Sequence, residues 1–385
     1  MAKILFTTTL GSANWAGSEV LWFSAAKLLK GAGHEVSALL PLNLRSPENV
    51  ARCAAVGITI VSGGLDRCRF LGSRLQRRFK PIRPSFQSPV VAWARRHQPD
   101  LVVFSQASCW GAYSDMLALS VLGIKYCCVS QLNTPFSWLG DALFEVVGEA
   151  FAKAEACVFV SQGNLSLFEN QTARSYENAK VISNLPSFEI EKPCGSPPVD
   201  VFRLLNVARI DPAHKGQDLL LDVLALPKWR GRNIEVEIAG GGATKWFERA
   251  ATSKGLTNIK LLGHVSDLQS AWERATFGVF PSRYEGMPLA IIEGMAFGRA
   301  VIATDVAGHA EWIECGENGF LAAGCNVRAL DAALESAWER RAEAGAMGQI
   351  AATDVKSRLE SSPAKELCDL INVFSTSDSS ISAPS

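Results

Sequence analysis

Two carboxylates, Glu285 and Glu293, stand with seven residues between them in the run from Phe280 to Gly298, and the second lies in an otherwise uncharged stretch. Pro288 suits a first helical turn, where a missing N–H costs nothing, and Gly298 suits the position just past a helix end. The spacing therefore predicts a helix over 288–297. Glu293 is four residues from both Leu289 and Phe297, so it shares their face, which is expected to be buried. A carboxylate buried there without a partner would be costly, so its presence asks for a reason. Glu285 precedes the helix start, where free N–H groups and the positive end of the helix dipole form a ready anion site. A second constellation lies upstream in Leu205-Asn206-Val207-Ala208-Arg209-Ile210-Asp211-Pro212-Ala213-His214-Lys215-Gly216. Arg209 follows a strand's end and Lys215 precedes a helix read over Gln217–Leu226, so two fixed cations flank one turn and can reach one point. Such a pair stabilises negative charge that develops during a reaction, without reorganisation.

Positioning these groups requires a scaffold, and the chain reads as α/β. Short apolar runs alternate with amphipathic stretches, the pattern of parallel sheets. Strands are expected near 3–8, 35–40, 58–61, 100–105, 125–130, 156–160 and 179–182, and again near 202–208, 233–239, 258–262, 277–280, 300–303 and 318–322. Between the two sets, Ser183 to Asp200 carries Pro186, Pro193, Pro197 and Pro198, which no helix interior or central strand tolerates. The expected organisation is a first domain over 1–190, a linker at 191–200 and a second domain over 201–345. Helices at 346–374, including a terminal one over 355–374, and a Ser-rich disordered tail at 375–385 complete the chain. Two doubly wound, Rossmann-like domains facing each other would place a cleft outside the carboxyl ends of both sheets, where such folds bind ligands.

Composition narrows the class. The 385 residues suffice for two sizeable cores. Lys plus Arg and Asp plus Glu each number 38, so no global field recruits nucleic acid. No apolar run reaches the eighteen or so residues of a membrane span. The opening Met-Ala-Lys-Ile-Leu-Phe reads as a first strand rather than a signal peptide, and the expected location is cytoplasmic. The ten cysteines, Cys127 and Cys128 among them, lack zinc-type spacing and are read as buried free thiols.

The Glu-x7-Glu spacing with its Glu-Gly-x-Pro start resembles the signature of family 4 of the retaining nucleotide-sugar glycosyltransferases, which have the two-domain GT-B fold. The segment around Arg209 and Lys215-Gly216 is similar to that family's other donor motif, in the right order. The resemblance implies a first domain on the acceptor side and a donor-binding second domain. It also implies that Glu285 meets sugar hydroxyls, that Glu293 meets the ribose, and that the amides of Gly286, Met287 and Leu289 meet sugar and phosphates. Arg209 and Lys215 would neutralise the departing diphosphate, and terminal helices would cross back onto the first domain. His264 and Val265 match a segment whose backbone meets the nucleotide base. Gly17, in the loop that includes Asn14, matches a glycine-containing loop near the donor phosphate and acceptor. Gln131, followed by Asn133, stands where relatives often carry a histidine near the reacting sugar. Gly241 replaces an acid usual in Gly-Asp-Gly, and the segment Thr304 to Glu311 is similar to a Gly-Gly-x-x-Glu turn, with His309 read in place of the second glycine.

The implied activity is transfer of a sugar from a nucleotide diphosphate-sugar to a hydroxyl acceptor, a glycan, lipid-linked sugar or polysaccharide, with retained configuration. Neither a cofactor nor a metal is expected: no Asp-x-Asp motif occurs, and the two cations take the place of a divalent ion. A nucleotide-sugar epimerase or hydrolase on the same fold, and a non-catalytic sugar-nucleotide-binding protein, remain alternatives. From Arg67 to Arg83 the chain carries seven basic residues and no acid, interleaved with Phe70, Leu71 and Phe79. That stripe suits an anionic membrane surface, giving an expected peripheral association at the inner face.

Overall fold

The computed structural model describes residues 1–11, 15, 17–62, 86, 88–107, 110–184, 186, 193–198, 200–360 and 362–376. Asn14 and the basic stripe 67–83 lie outside the described residues. The chain divides into two compact units, Met1–Leu185 with Ser362–Ser385, and Pro186–Ser361.

The first unit is built on seven parallel strands: β1 (Lys3–Thr8), β2 (Glu35–Leu39), β3 (Thr59–Ile60), β4 (Leu101–Gln106), β5 (Tyr126–Ser130), β6 (Ala156–Phe159) and β7 (Ala179–Val181). Their order is β3-β2-β1-β4-β5-β6-β7. The central runs LVVFSQ and YCCVS are buried at every position, as parallel strands covered by helices on both faces must be. Helices start where the sequence supplies caps: Ser46, Ser88 and Ser161 each accept a backbone N–H three residues on, and Pro47 and Pro89 occupy first-turn positions. Phe151, Phe159 and Phe168 pack together in the core, with Phe104 and Tyr126 edge to face beside them.

The second unit carries six parallel strands: β8 (Phe202–Val207), β9 (Ile234–Ala239), β10 (Ile259–Gly263), β11 (Phe277–Phe280), β12 (Val301–Thr304) and β13 (Gly319–Ala322), in the order β10-β9-β8-β11-β12-β13. All thirteen strands among the described residues lie where the sequence places them, within one or two residues. The expected helix over 355–374 is instead two, Ala344–Leu359 and Pro363–Thr376. Pro363 opens the second helix because it cannot continue the first. That last helix packs on helix Gly17–Gly31 within the first unit. Among the described residues no helix is long and apolar enough to cross a membrane. The cysteines correct the expected burial in part: Cys127 and Cys128 are buried, whereas Cys315 is exposed and Cys194 and Cys325 are half-buried.

Candidate active site

In the second unit the strand order reverses between β8 and β11, neighbours in register at Leu204 and Phe277. The loops leaving the carboxyl ends of these two strands flank the position where open α/β sheets bind ligands. They are the two segments with candidate chemistry. Asn206, buried near the end of β8, donates from Nδ2 to the Val279 carbonyl on β11 at 2.7 Å. Gln217, fully buried, donates to the Arg209 carbonyl at 2.9 Å and accepts the Asp211 N–H at 3.2 Å, which fixes the turn between them. Gly216 has φ +65°, and a Cβ there would lie 1.8 Å from the Pro281 carbonyl oxygen, so no other residue fits where the loops cross. Arg283 joins the same loops: its N–H donates to the His214 carbonyl at 2.8 Å, and its guanidinium forks onto Asp218 at 2.7 and 2.6 Å.

These contacts bring Lys215 and Glu285 together. The ammonium lies 2.5 Å from Glu285 Oε1, which also accepts the Ser282 hydroxyl at 2.8 Å. On the other oxygen, His214 Nε2 stands 3.6 Å from Oε2, while the His214 ring stacks on Tyr284 with centroids 4.3 Å apart and planes 6° from parallel. The Glu285 side chain is 12% exposed. Burial alone would raise its carboxyl pKa, but the Lys215 ammonium, then His214 and His309, outweigh it and hold the group ionised well below the usual carboxylate range. His309 is buried, and its Nδ1 lies 2.7 Å from the Thr304 carbonyl, which can only accept, so that nitrogen carries the proton. Burial pushes this imidazole's pKa down, against the attraction of Glu285. Burial likewise pushes the Tyr284 phenol up, with Asp211 and Glu285 adding to it and Arg209 opposing.

The remaining candidates fall in different settings. The Arg209 side chain is 65% exposed and pairs with Asp211 at 2.9 Å, so of the two cations Lys215 alone meets Glu285. The expected helix over 288–297 is observed as Leu289–Ala296, with Pro288 just before it and Gly298 left-handed just beyond. Glu293 is buried on it, as its spacing requires. Gly286 and Met287 are buried too. The Leu289 amide is not bare: it donates to the Met287 carbonyl at 3.0 Å, because the chain tightens at Pro288 before the helix begins. His264, exposed, and Val265, half-buried, follow β10. With β9 between β10 and β8, they stand about 10 Å from β8 along the same edge.

In the first unit, Gly17 opens helix Gly17–Gly31. Gln131 and Asn133 are both buried: Gln131 Oε1 accepts from Asn184 at 2.8 Å, and Asn133 donates to the Asn164 carbonyl at 2.7 Å. In the turn from Thr304 to Glu311, the left-handed backbone belongs to Ala307, at φ +46°. Counted back from Glu311, a Gly-Gly-x-x-Glu pattern puts its glycines at 307 and 308. The departure is therefore Ala307 for the first glycine, and His309 instead opens a short helix, His309–Trp312.

Residues 201–340 match the family model of the glycosyl transferases group 1. That span holds every candidate of the second unit and none of the first. Among curated proteins, the chain is 35% identical over 112 residues to an uncharacterized glycosyltransferase of Methanocaldococcus jannaschii, covering 28% of this chain and 30% of that one. It is 29% identical over 167 residues to a poly(ribitol-phosphate) alpha-N-acetylglucosaminyltransferase of Staphylococcus aureus, covering 42% of this chain and 32% of that protein. The chain thus spans about a third of the length of either relative. Among solved structures, Anabaena Alr3699/HepE in complex with UDP-glucose superposes with a TM-score of 0.72 at 19% identity, over 97% of this chain and 100% of that one. At that identity the likeness concerns the fold, two Rossmann-like α/β domains in one chain.

Reading the sequence alone misses His214, Ser282, Tyr284, Arg283 and Gln217. Two carried a local signal: His214 adjoins Lys215, and Ser282 precedes Glu285 by three residues, a spacing at which a hydroxyl reaches back to a carboxylate. The Arg283–Asp218 fork joins residues 65 apart in sequence, and only the pairing of β8 with β11 makes them neighbours.

Proposed function

We propose that the chain is a retaining glycosyltransferase of the family 4 type, which transfers a sugar from a nucleotide diphosphate donor to a hydroxyl acceptor. The observation that carries this reading is the meeting of Lys215 and Glu285, 70 residues apart in sequence, at the switch point of the unit that matches the family. In this reading the diphosphate lies over the ends of β8 and β11. Lys215, shared between Glu285 and the leaving phosphate, and Arg209, whose side chain is 65% exposed, balance the charge that develops as the glycosidic bond breaks. Glu285 takes the sugar's hydroxyls, Glu293 the ribose, and the Gly286 and Met287 amides the phosphates. His264 and Val265 flank the base. The departing phosphate oxygen accepts the acceptor's proton on the same face of the sugar, so the first unit need supply no base, in keeping with neutral Gln131 and Asn133. The names of the relatives, one holding UDP-glucose and one an N-acetylglucosaminyltransferase acting on a polymer, support a nucleotide-sugar donor and a glycan acceptor. Peripheral membrane association through 67–83 belongs to the same proposal.

The test is an assay of UDP-, GDP- and ADP-sugars with and without glycan acceptors. Transfer is expected with at least one donor, the anomeric configuration of the product matching that of the donor. Lys215→Ala and Glu293→Ala should lose it by about 100-fold or more while remaining folded. Near-normal turnover by both variants, or donor hydrolysis and epimerisation without transfer, would refute the assignment.

A further inference from the structure

Lys215 has two claims on it. In this structure its ammonium holds Glu285 ionised, and in the proposed function the same ammonium must also face a diphosphate. If it turned away, Glu285 would keep the Ser282 hydroxyl on Oε1 and the sugar hydroxyls of the donor reading but would be a nearly buried carboxylate with no cation against it, which is unfavourable. The structure places a second group against the opposite oxygen. His214 Nε2 faces Glu285 Oε2 at 3.6 Å, and among the described residues that buried nitrogen has no partner at hydrogen-bond length. Closing the gap to hydrogen-bond length takes a shift of under about 1 Å. The ring is held for that role: its carbonyl accepts the Arg283 N–H, and its face lies flat on Tyr284, whose π-cloud favours a cation.

We propose that His214 is a positioning residue that takes up one proton when a nucleotide diphosphate binds, and donates an N–H to Glu285 Oε2 as Lys215 turns to the phosphates. The inference rests on the donor reading given above. The proton comes from solvent on binding and returns to it on product release, so the cycle balances. Charged and titratable groups on every side bear on it. Glu285 and the incoming diphosphate favour the imidazolium. Lys215 opposes it while it sits on Glu285, and this opposition lessens as the ammonium moves. Arg209 is paired with Asp211 and Arg283 with Asp218, so both are largely compensated. His309, which bears on Glu285 electrostatically, is bonded to the Thr304 carbonyl through Nδ1.

Calorimetric titration of UDP-glucose, GDP-mannose and ADP-glucose into the full chain, each in two buffers of different ionisation enthalpy near pH 7.5, separates the outcomes. At least one ligand is expected to bind the wild type with uptake of about half to one proton, and its Kd should rise by up to about tenfold per pH unit on the alkaline side. His214→Phe keeps the stack on Tyr284 but should bind more weakly with no uptake. His214→Gln, whose amide can donate without titrating, should bind with no uptake and a pH-independent Kd. Binding without buffer-dependent heat, or an uptake unchanged in both variants, would overturn the role of His214 and leave the donor reading standing. Should His214→Phe fail to fold, the wild type and His214→Gln decide alone. No heat from any of the three ligands would overturn the donor reading and this inference with it.

Discussion

Replacing Lys215 by Met removes the ammonium from Glu285 and keeps most of the side-chain volume. Removing one partner of a fully buried pair costs about 3–5 kcal/mol. Here the Lys215 and Glu285 side chains are 23% and 12% exposed, and Ser282 remains bonded to Oε1. We therefore expect about 2–3 kcal/mol, below the fully buried range. For a unit of this size that is a fall of about 5–10 °C in Tm. The pH dependence gives the stricter check. In the wild type the folded Glu285 carboxyl lies well below its ordinary value, so the pair's stabilisation is present above the unfolded carboxyl's range and is lost as pH falls below it. In Lys215→Met the largest of the charges opposing burial is gone, so that carboxyl lies higher than in the wild type and less stability is lost as pH falls. The gap between the two proteins is thus widest at neutral pH and narrows as pH falls through and below the ordinary carboxyl value of about 4. Thermal and urea melts at matched pH, with Lys215→Met/Glu285→Gln as the companion variant, measure this. The double variant should recover most of the loss, since it leaves no buried charge. A loss below about 0.5 kcal/mol, a gap independent of pH, or a double variant no better than the single would refute the reasoning.

Other outcomes follow from single contacts. Arg209→Ala should leave Tm within about 1 °C, because an exposed pair is worth at most a few tenths of a kcal/mol, yet lower kcat; a large loss of stability would show that the arginine holds the turn. Gly216→Ala should destabilise the second unit by roughly 3 kcal/mol or more, since its Cβ would strike the Pro281 carbonyl; a melt matching the wild type would contradict the observed loop crossing. Ala307→Gly should raise stability by roughly 0.5–1 kcal/mol by relieving the left-handed backbone at φ +46°, read as a higher urea midpoint. Transfer should survive exhaustive chelation, the cations of Arg209 and Lys215 standing in for a divalent ion; complete loss restored by magnesium or manganese would overturn that point.

The strands were legible because parallel strands covered on both faces are continuous apolar runs between turn residues, as in LVVFSQ and in FGVF of β11. The ends of helix Leu289–Ala296 were legible from Pro288 and Gly298. The register of β8 against β11 is a long-range property, and with it came everything spacing does not show. Lys215 reaches Glu285, His214 faces its other oxygen, and Arg283 binds Asp218 across the loops. The same limit explains Arg209: its place after a strand was readable, but the nearby Asp211 that holds it in solvent competes in a way periodicity does not weigh. Ala307 shows a pattern miscounted by one position, which the backbone angle corrects.

The most direct test of a diphosphate site at the ends of β8 and β11 is the binding of a nucleoside diphosphate against its monophosphate. Titrations of UDP and UMP, GDP and GMP, and ADP and AMP would be compared between the wild type and Arg209→Ala/Lys215→Ala. One diphosphate should bind the wild type at least about tenfold more tightly than its monophosphate, and the preference should vanish in the double variant. Equal affinities in the wild type, or a preference that survives loss of both cations, would contradict the site.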